Sequence, residues 1–185
     1  MFSGGGNDTL NGGAGDDIYR FTGSNNLGED TIAEAASQGV DTFDFTNFSY
    51  GIVLRLTDIA SQQIVAPNGG QPKLKLTIQN DSAIDNVIGT GYADDITGNS
   101  LANDIRGGFG NDVIHGGGGA DYLDGGYDMD SIYGDDGNDL LYGGMSDDVL
   151  WGGEGDDFFS GGYGVDVAYG EGGTADYPDG TVEWF

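Results

Sequence analysis

From Gly89 to Tyr169 the chain is nine nonapeptides laid end to end with no insertion. They read GTGYADDIT, GNSLANDIR, GGFGNDVIH, GGGGADYLD, GGYDMDSIY, GDDGNDLLY, GGMSDDVLW, GGEGDDFFS and GGYGVDVAY. Position 1 is Gly in all nine, and position 6 is Asp in all but one, where Asn103 stands. Position 8 is always apolar: Ile96, Ile105, Ile114, Leu123, Ile132, Leu141, Leu150, Phe159 and Ala168. A fixed period with an acid and an apolar residue at constant offsets is the mark of a repeat architecture.

The two halves of each repeat ask for different backbones. Six residues rich in Gly and Asp suit a tight turn, because glycine reaches positive φ and lets carbonyls crowd together. The last three alternate outward, inward, outward, like a very short strand with one buried side chain. Turn, strand, turn, strand makes one coil of 18 residues, and coils stacked at roughly 4.8 Å pair as parallel sheet. A single coil buries almost nothing, so only the stack has a core. The expected fold is all-β, a parallel β-solenoid with 18-residue coils.

That period decides which acids meet. Asp94, Asp112, Asp130, Asp148 and Asp166 fall on one edge of the stack, and Asn103, Asp121, Asp139 and Asp157 on the other. Carboxylates held this close repel unless a cation lies between them. The donors on offer are carboxylates and turn carbonyls, with no Cys and one His. Hard oxygen donors in a flexible cage suit Ca²⁺, whereas Mg²⁺ prefers to keep its waters.

GGFGNDVIH, GGGGADYLD, GGEGDDFFS and GGYGVDVAY resemble the RTX nonapeptide GGxGxDxUx. The resemblance implies a β-roll of secreted bacterial proteins, with calcium held between adjacent coils on the same edge. It implies as ligands the position-6 acids Asp94, Asp112, Asp121, Asp130, Asp139, Asp148, Asp157 and Asp166. Backbone carbonyls of positions 2 and 4 would complete the set. At position 2 these are Gly108, Gly117, Gly126, Gly144, Gly153 and Gly162, and at position 4 Gly110, Gly119, Gly137, Gly155 and Gly164. Neutral Asn103 implies a weaker site. Asp128 and Ser146 replace the position-4 glycine, so their turns are expected to be strained.

Outside the strict stretch the pattern loosens. SGGGNDTLN and GGAGDDIYR at residues 3–20 add Asp8 and Asp17 as ligands, with Leu10 and Tyr19 inward. Between 21 and 88 the period is lost, but Asp30-Thr31-Ile32 and Asp41-Thr42-Phe43 still read as turn-to-strand junctions, making Asp30 and Asp41 weaker candidates. Wider coils of roughly 22–24 residues are expected there, since insertions in a solenoid map to loops. Ala33–Ala36 offers a short helical turn as an alternative, and 67–70 an exposed loop. Leu74, Leu76 and Ile78 alternate with Lys73, Lys75 and Thr77, as in a half-buried strand. Arg55, Lys73 and Lys75 read as a solvated outer face beside acids. Residues 170–185 break phase, and 181–185 reads either as a cap on the open end of the stack or as the start of a continuation. The first repeat begins almost at Met1, which reads as a fragment start, and the whole of 1–185 as a single β-roll domain.

Charge narrows the partners. Thirty-two acids against five basic residues give −27, which argues against nucleic acid or an anionic membrane as direct partner, and with no stretch of 18 apolar residues no direct membrane insertion is expected. A metal-free chain is expected to expand by self-repulsion, so taking up about six to ten Ca²⁺ would be part of folding. Calcium modules of low affinity fill at extracellular calcium levels, so the expected location is outside the cell. No motif of a catalytic site is present, and His115 at an outward position 9 reads as a surface residue. No enzyme activity is expected. Position 9 of one sheet runs Thr97, His115, Tyr133, Trp151, Tyr169, and Tyr133, Trp151 and Tyr169 predict an exposed aromatic ladder. It serves either cross-strand pairing or a polysaccharide or protein partner. The expected role is a calcium-folded module that stabilises or presents a neighbouring domain of a larger secreted protein. An alternative is the C-terminal part of a secreted enzyme whose active site lies outside 1–185.

Overall fold

The protein is described here from a computed structural model covering residues 1–3, 5–23, 27–34, 39–57, 61–64, 74–80, 83–172, 177–178 and 180–184. Among these there is no helix, and every sheet but one pairing is parallel. One wall stacks nine strands, from Phe2–Ser3 through Ile18–Phe21, Thr42–Asp44, Asn86–Ile88, Asp104–Phe109, Tyr122–Tyr127, Leu140–Met145 and Phe158–Tyr163 to Tyr177–Pro178. The facing wall is in two sheets. Thr9–Leu10, Gly28–Ile32, Leu74–Ile78 and Ser61–Ile64 form the first. Val53–Arg55, Asp95–Thr97, Val113–Gly118, Ser131–Asp136, Val149–Glu154, Asp166–Tyr169 and Val182–Trp184 form the second.

In the repeats the register is the sequence period. Ile105 pairs with Leu123, Leu123 with Leu141 and Leu141 with Phe159, while Ile96, Ile114, Ile132, Leu150 and Ala168 make the facing column. Each of these is fully buried. Two files of single apolar side chains are the whole apolar core of this part. The invariance of the position-1 glycines has a steric cause. A Cβ on Gly107 would collide with the carboxylate of Asp112 in its own repeat, and Gly116, Gly125 and Gly143 are in the same position against Asp121, Asp130 and Asp148.

The widened coils depart from expectation. The first two have the expected lengths: Asp8 meets Asp30 after 22 residues and Asp17 meets Asp41 after 24. The next is much longer. Asp41 meets Asp85 after 44, and Ile52 meets Asp94 after 42. Among the described residues that coil gives one strand, Thr42–Asp44, to the first wall but three to the facing wall. Ser61–Ile64 pairs antiparallel with Leu74–Ile78, so the fold is not parallel throughout. Leu74, Leu76 and Ile78 point inward as their alternation predicts. The extra strands widen the core, and large rings occupy it. Phe21 stacks on Phe45 at 4.7 Å, and Phe43 and Phe48 pack edge-on against them.

Arg55 pairs with Asp95 at 2.8 Å and Lys75 with Glu29 at 3.4 Å, the outward acidic neighbours expected of them. Lys73, residues 35–36 of the alternative helical turn, and the loop at 67–70 lie outside the described residues. At the far end Tyr177 pairs with Phe158 and Val182 with Asp166, intervals that differ from 18 as the phase break requires. Among the described residues Pro178 sits on the outermost strand of its wall, an edge position that tolerates its missing N–H.

Candidate metal centre

The position-6 side chains are joined through the backbone into two ladders. The amide of each donates to the carboxylate of its counterpart one coil on. On one edge Asp94 N donates to Asp112 Oδ1, Asp112 N to Asp130 Oδ1, and Asp130 N to Asp148 Oδ1, each at 2.8 Å, and Asp148 N to Asp166 Oδ1 at 2.9 Å. On the other, Asn103 N donates to Asp121 Oδ1 and Asp121 N to Asp139 Oδ1 at 2.8 Å, and Asp139 N to Asp157 Oδ1 at 2.9 Å. The acids grouped by the 18-residue period are thus brought together as expected.

The second edge extends further back than its sequence suggests. Asp17 N donates to Asp41 Oδ1, Asp41 N to Asp85 Oδ2, and Asn103 Nδ2 to the carbonyl of Asp85. That ladder therefore continues across the widened coils, with the link to Asn103 made by its side-chain amide donating to a backbone carbonyl. The edge of Asp94 does not, because Ile52 precedes it and Leu76 aligns with Asp30 where acids would stand. Asp85 is the ladder member that sequence reasoning missed. Its signal was there: NDSAIDNVI, residues 80–88, is in phase with the repeats and has Asp and Val at positions 6 and 8, but no glycine.

The second carboxylate oxygen sorts the turns into two kinds. Oδ2 of Asp112, Asp121, Asp130, Asp139 and Asp148 is buried and accepts no hydrogen bond among the described residues. Asp94 differs: its Oδ2 accepts the amide of Thr90 at 2.7 Å, and its Oδ1 accepts Ile52 N and the Thr90 hydroxyl. Asn103 accepts Asn99 N at 2.9 Å. Asp30 has Asp8 N on one oxygen and the Ser3 hydroxyl on the other, at 2.9 and 2.5 Å.

Position 2 explains the sorting. Thr90 and Asn99 keep negative φ there and turn their N–H to the position-6 side chain. Gly108, Gly117, Gly126 and Gly144 take φ between 101° and 116°. Position 4 is also at positive φ, between 105° and 154°, at Gly110, Gly119, Gly137, Gly155 and Gly164. The carbonyl oxygens then project between coils: a Cβ on Gly126 would meet the oxygen of Gly108, on Gly144 that of Gly126, on Gly162 that of Gly144, and on Gly155 that of Gly137. Asp128, Asp135 and Ser146 adopt φ of 73°, 68° and 85° without being glycine. For Asp128 and Ser146 this is the strain expected; Asp135, at position 2, adds a third case.

A buried carboxylate oxygen with no donor is costly, and it favours a proton or a cation. Burial pushes Asp112 up to about 8, Asp130, Asp139 and Asp148 to about 7, and Asp94 and Asp121 to about 6. Neighbouring acids add to it: Asp94 and Asp130 flank Asp112, while Asp121 has neutral Asn103 on one side. Asp30 and Asp41 are also raised, first by burial. Among the described residues no three acidic or histidine side chains converge on one point. A cation here would rest on one or two carboxylates and a majority of backbone carbonyls. That donor set, all hard oxygen, fits Ca²⁺.

The aromatic ladder forms as the spacing predicts. His115, Tyr133 and Trp151 stack at 4.3 and 4.4 Å with planes within 4°, and Tyr169 follows at 5.7 Å. These rings cover one another's faces, which is the cross-strand pairing expected of them as one of two roles. His115 is tied to Asp135 at 3.1 Å.

The description RTX calcium-binding nonapeptide repeat matches the chain in four copies, over residues 1–27, 97–126, 124–159 and 142–174. The copies fall on 1–27 and 97–174 and leave out 28–96, which holds most of the widened coils. No curated protein matches the chain.

Proposed function

The chain belongs to the family of RTX calcium-binding nonapeptide repeats, and from that premise we propose that it is an extracellular module whose folding is completed by calcium. The observation that carries this reading is the run of buried, donorless Oδ2 atoms at Asp112, Asp121, Asp130, Asp139 and Asp148. Bound Ca²⁺ would supply the positive charge between coils that these oxygens lack. The position-6 carboxylates and the position-2 and position-4 carbonyls would hold it. The amide ladder keeps each carboxylate aimed at the next coil, and the position-1 glycine leaves room for its second oxygen.

The reading gives the chain no chemistry of its own. Asp112, Asp121, Asp130, Asp139 and Asp148 share one turn context, as ligands do and a catalytic pair does not. The folded stack would stabilise, space or present a neighbouring domain of a secreted protein, where calcium is abundant. The test is circular dichroism with calcium titrated into metal-free protein at neutral pH. The expected result is a large gain of β-structure, reversed by chelator; a spectrum indifferent to calcium overturns the proposal.

A further inference from the structure

Positions 3 and 5 of the repeats lie outside both the core and the ladders, and the two edges of the stack fill them with opposite chemistry. On the edge of Asp112, position 3 carries Phe109, Tyr127, Met145 and Tyr163, and position 5 adds Met129 and Val165. These six are between 43 and 77 % exposed. On the edge of Asp121, position 3 carries Gly118, Asp136 and Glu154. In the repeats of the latter edge, among the described residues from 116 to 157, the one exposed large apolar side chain is Leu140, on the strand beside Asp139 and away from position 3. A chain of net charge −27 thus carries one uninterrupted apolar stripe.

We infer that the edge bearing Phe109, Tyr127, Met145 and Tyr163 is an interface through which two calcium-loaded copies of this chain pack about a twofold axis. Three observations commit the surface to a second copy. Spacing is the first. The rungs are in strand register, Phe109 beside Tyr127, Tyr127 beside Met145, Met145 beside Tyr163, so they repeat at the sheet spacing of roughly 4.8 Å. A surface that meets such a ladder rung for rung is another ladder of the same period.

Self-complementarity is the second. A twofold axis between the two middle rungs sets Phe109 against Tyr163 of the other copy and Tyr127 against Met145, pairing rings with rings and a thioether with a ring. Phe109 and Tyr127 are already stacked at 4.4 Å, so the ladder is organised before it docks. At the roughly 150–250 Å² an aromatic side chain presents, the six expose on the order of 700 Å², close to the about 800 Å² each partner of a standard interface buries.

Charge is the third. The ladder acids of this edge are those that calcium would neutralise. The remaining acids of its turns, Asp128 and Asp147, already accept backbone amides one coil away, from Gly110 at 3.1 Å and Val165 at 2.9 Å. The inference rests on the calcium-bound reading, since only that state removes the repulsion between two such edges.

The test is sedimentation equilibrium of the full chain with millimolar calcium, with circular dichroism on the same samples. The expected mass is twice the 19.2 kDa of one chain. Tyr127→Asp and Met145→Asp should each weaken the dimer at least tenfold while keeping the calcium-dependent spectrum. Glu154→Ala on the opposite edge should change nothing. A folded wild-type chain that stays monomeric to about 100 µM overturns the inference, as does a dimer indifferent to both stripe variants. A dimer that forms without calcium and is broken by Tyr127→Asp keeps the interface and removes only its link to the metal, so the two readings fail separately.

Discussion

The widened coils and the regular stack follow the same path but are held by different forces. Between residues 19 and 56 the core is a cluster of rings, and the ladder acids beside it have protein donors: Asp30 has Ser3 and Asp8, and Asp94 has Thr90 and Ile52. From 107 to 150 the core thins to one aliphatic residue per nine, and the carboxylates beside it have an oxygen with no donor. A large apolar core stabilises on its own account, by about 1.5–3 kcal/mol for each large side chain fully buried. The stack offers few such side chains and many uncompensated acids. Its order must come from outside the chain, as a cation or a proton. The difference teaches that regularity here marks dependence on a ligand, and irregularity marks independence from it.

The most severe way to break this comparison is to withhold calcium. At neutral pH with chelator, amide exchange should accelerate by orders of magnitude across 107–166 and much less at 42–56; equal acceleration in both would erase the distinction. Acid should then restore the stack. Burial raises the folded-state carboxyls of Asp112, Asp130, Asp139 and Asp148 to about 7–8 from an ordinary value near 3.8. The metal-free folded form therefore holds more protons than the unfolded form between those values. Its stability is whole below about pH 4 and falls as pH rises through 7 to 8. Metal-free protein taken from pH 8 to pH 4 should gain β signal. A loss of signal on acidification would contradict the assignment of those orphaned oxygens.

How far the sequence reveals this depends on which interactions are local in period. Asp112, Asp121 and their equivalents, and the inward column from Ile96 to Ala168, follow from spacing alone, because each repeat meets its counterpart 18 residues on. The aromatic ladder of Tyr133, Trp151 and Tyr169 follows in the same way, though not that its rings would cover one another's faces. The three strands of the long coil were not legible. Nothing in Leu74–Ile78 says that it pairs with Gly28–Ile32, because that choice is made by the closure of a coil of variable length. Asp85 was hidden by the lack of glycines before it. The stripe from Phe109 to Tyr163 was legible but lies at position 3, in the Gly-rich half of the repeat that reads as a turn; the strands run on through it, from position 7 to position 3 of the next repeat.

A smaller effect separates two members of one ladder. Asp130→Asn removes charge from a site whose second oxygen has no donor, and calcium affinity there should fall at least tenfold, about 1.4 kcal/mol. Asp94→Asn alters a side chain already bonded to Thr90 and Ile52, so total calcium affinity should stay within about twofold. Isothermal titration calorimetry on the two variants decides it, and equal losses would mean that Thr90 does not set Asp94 apart.

The smallest effect concerns the strain that the stack tolerates. Ser146 holds φ of 85° at a position where Gly110, Gly119 and Gly164 hold positive φ freely. For a side-chain-bearing residue that region costs roughly 1–2 kcal/mol, and glycine removes the cost. Against this, glycine gives the unfolded chain more freedom, worth about 0.5–1 kcal/mol. The net for Ser146→Gly should be a stabilisation of roughly 0.5–1 kcal/mol, seen in thermal melts with calcium present. Asp128→Gly relieves the same strain but also deletes the carboxylate that accepts Gly110 N, so its gain should be smaller. If Ser146→Gly instead lowers the melting temperature, the serine contributes something at that turn that outweighs its backbone strain, and the nonapeptide glycines there would need a reason other than φ.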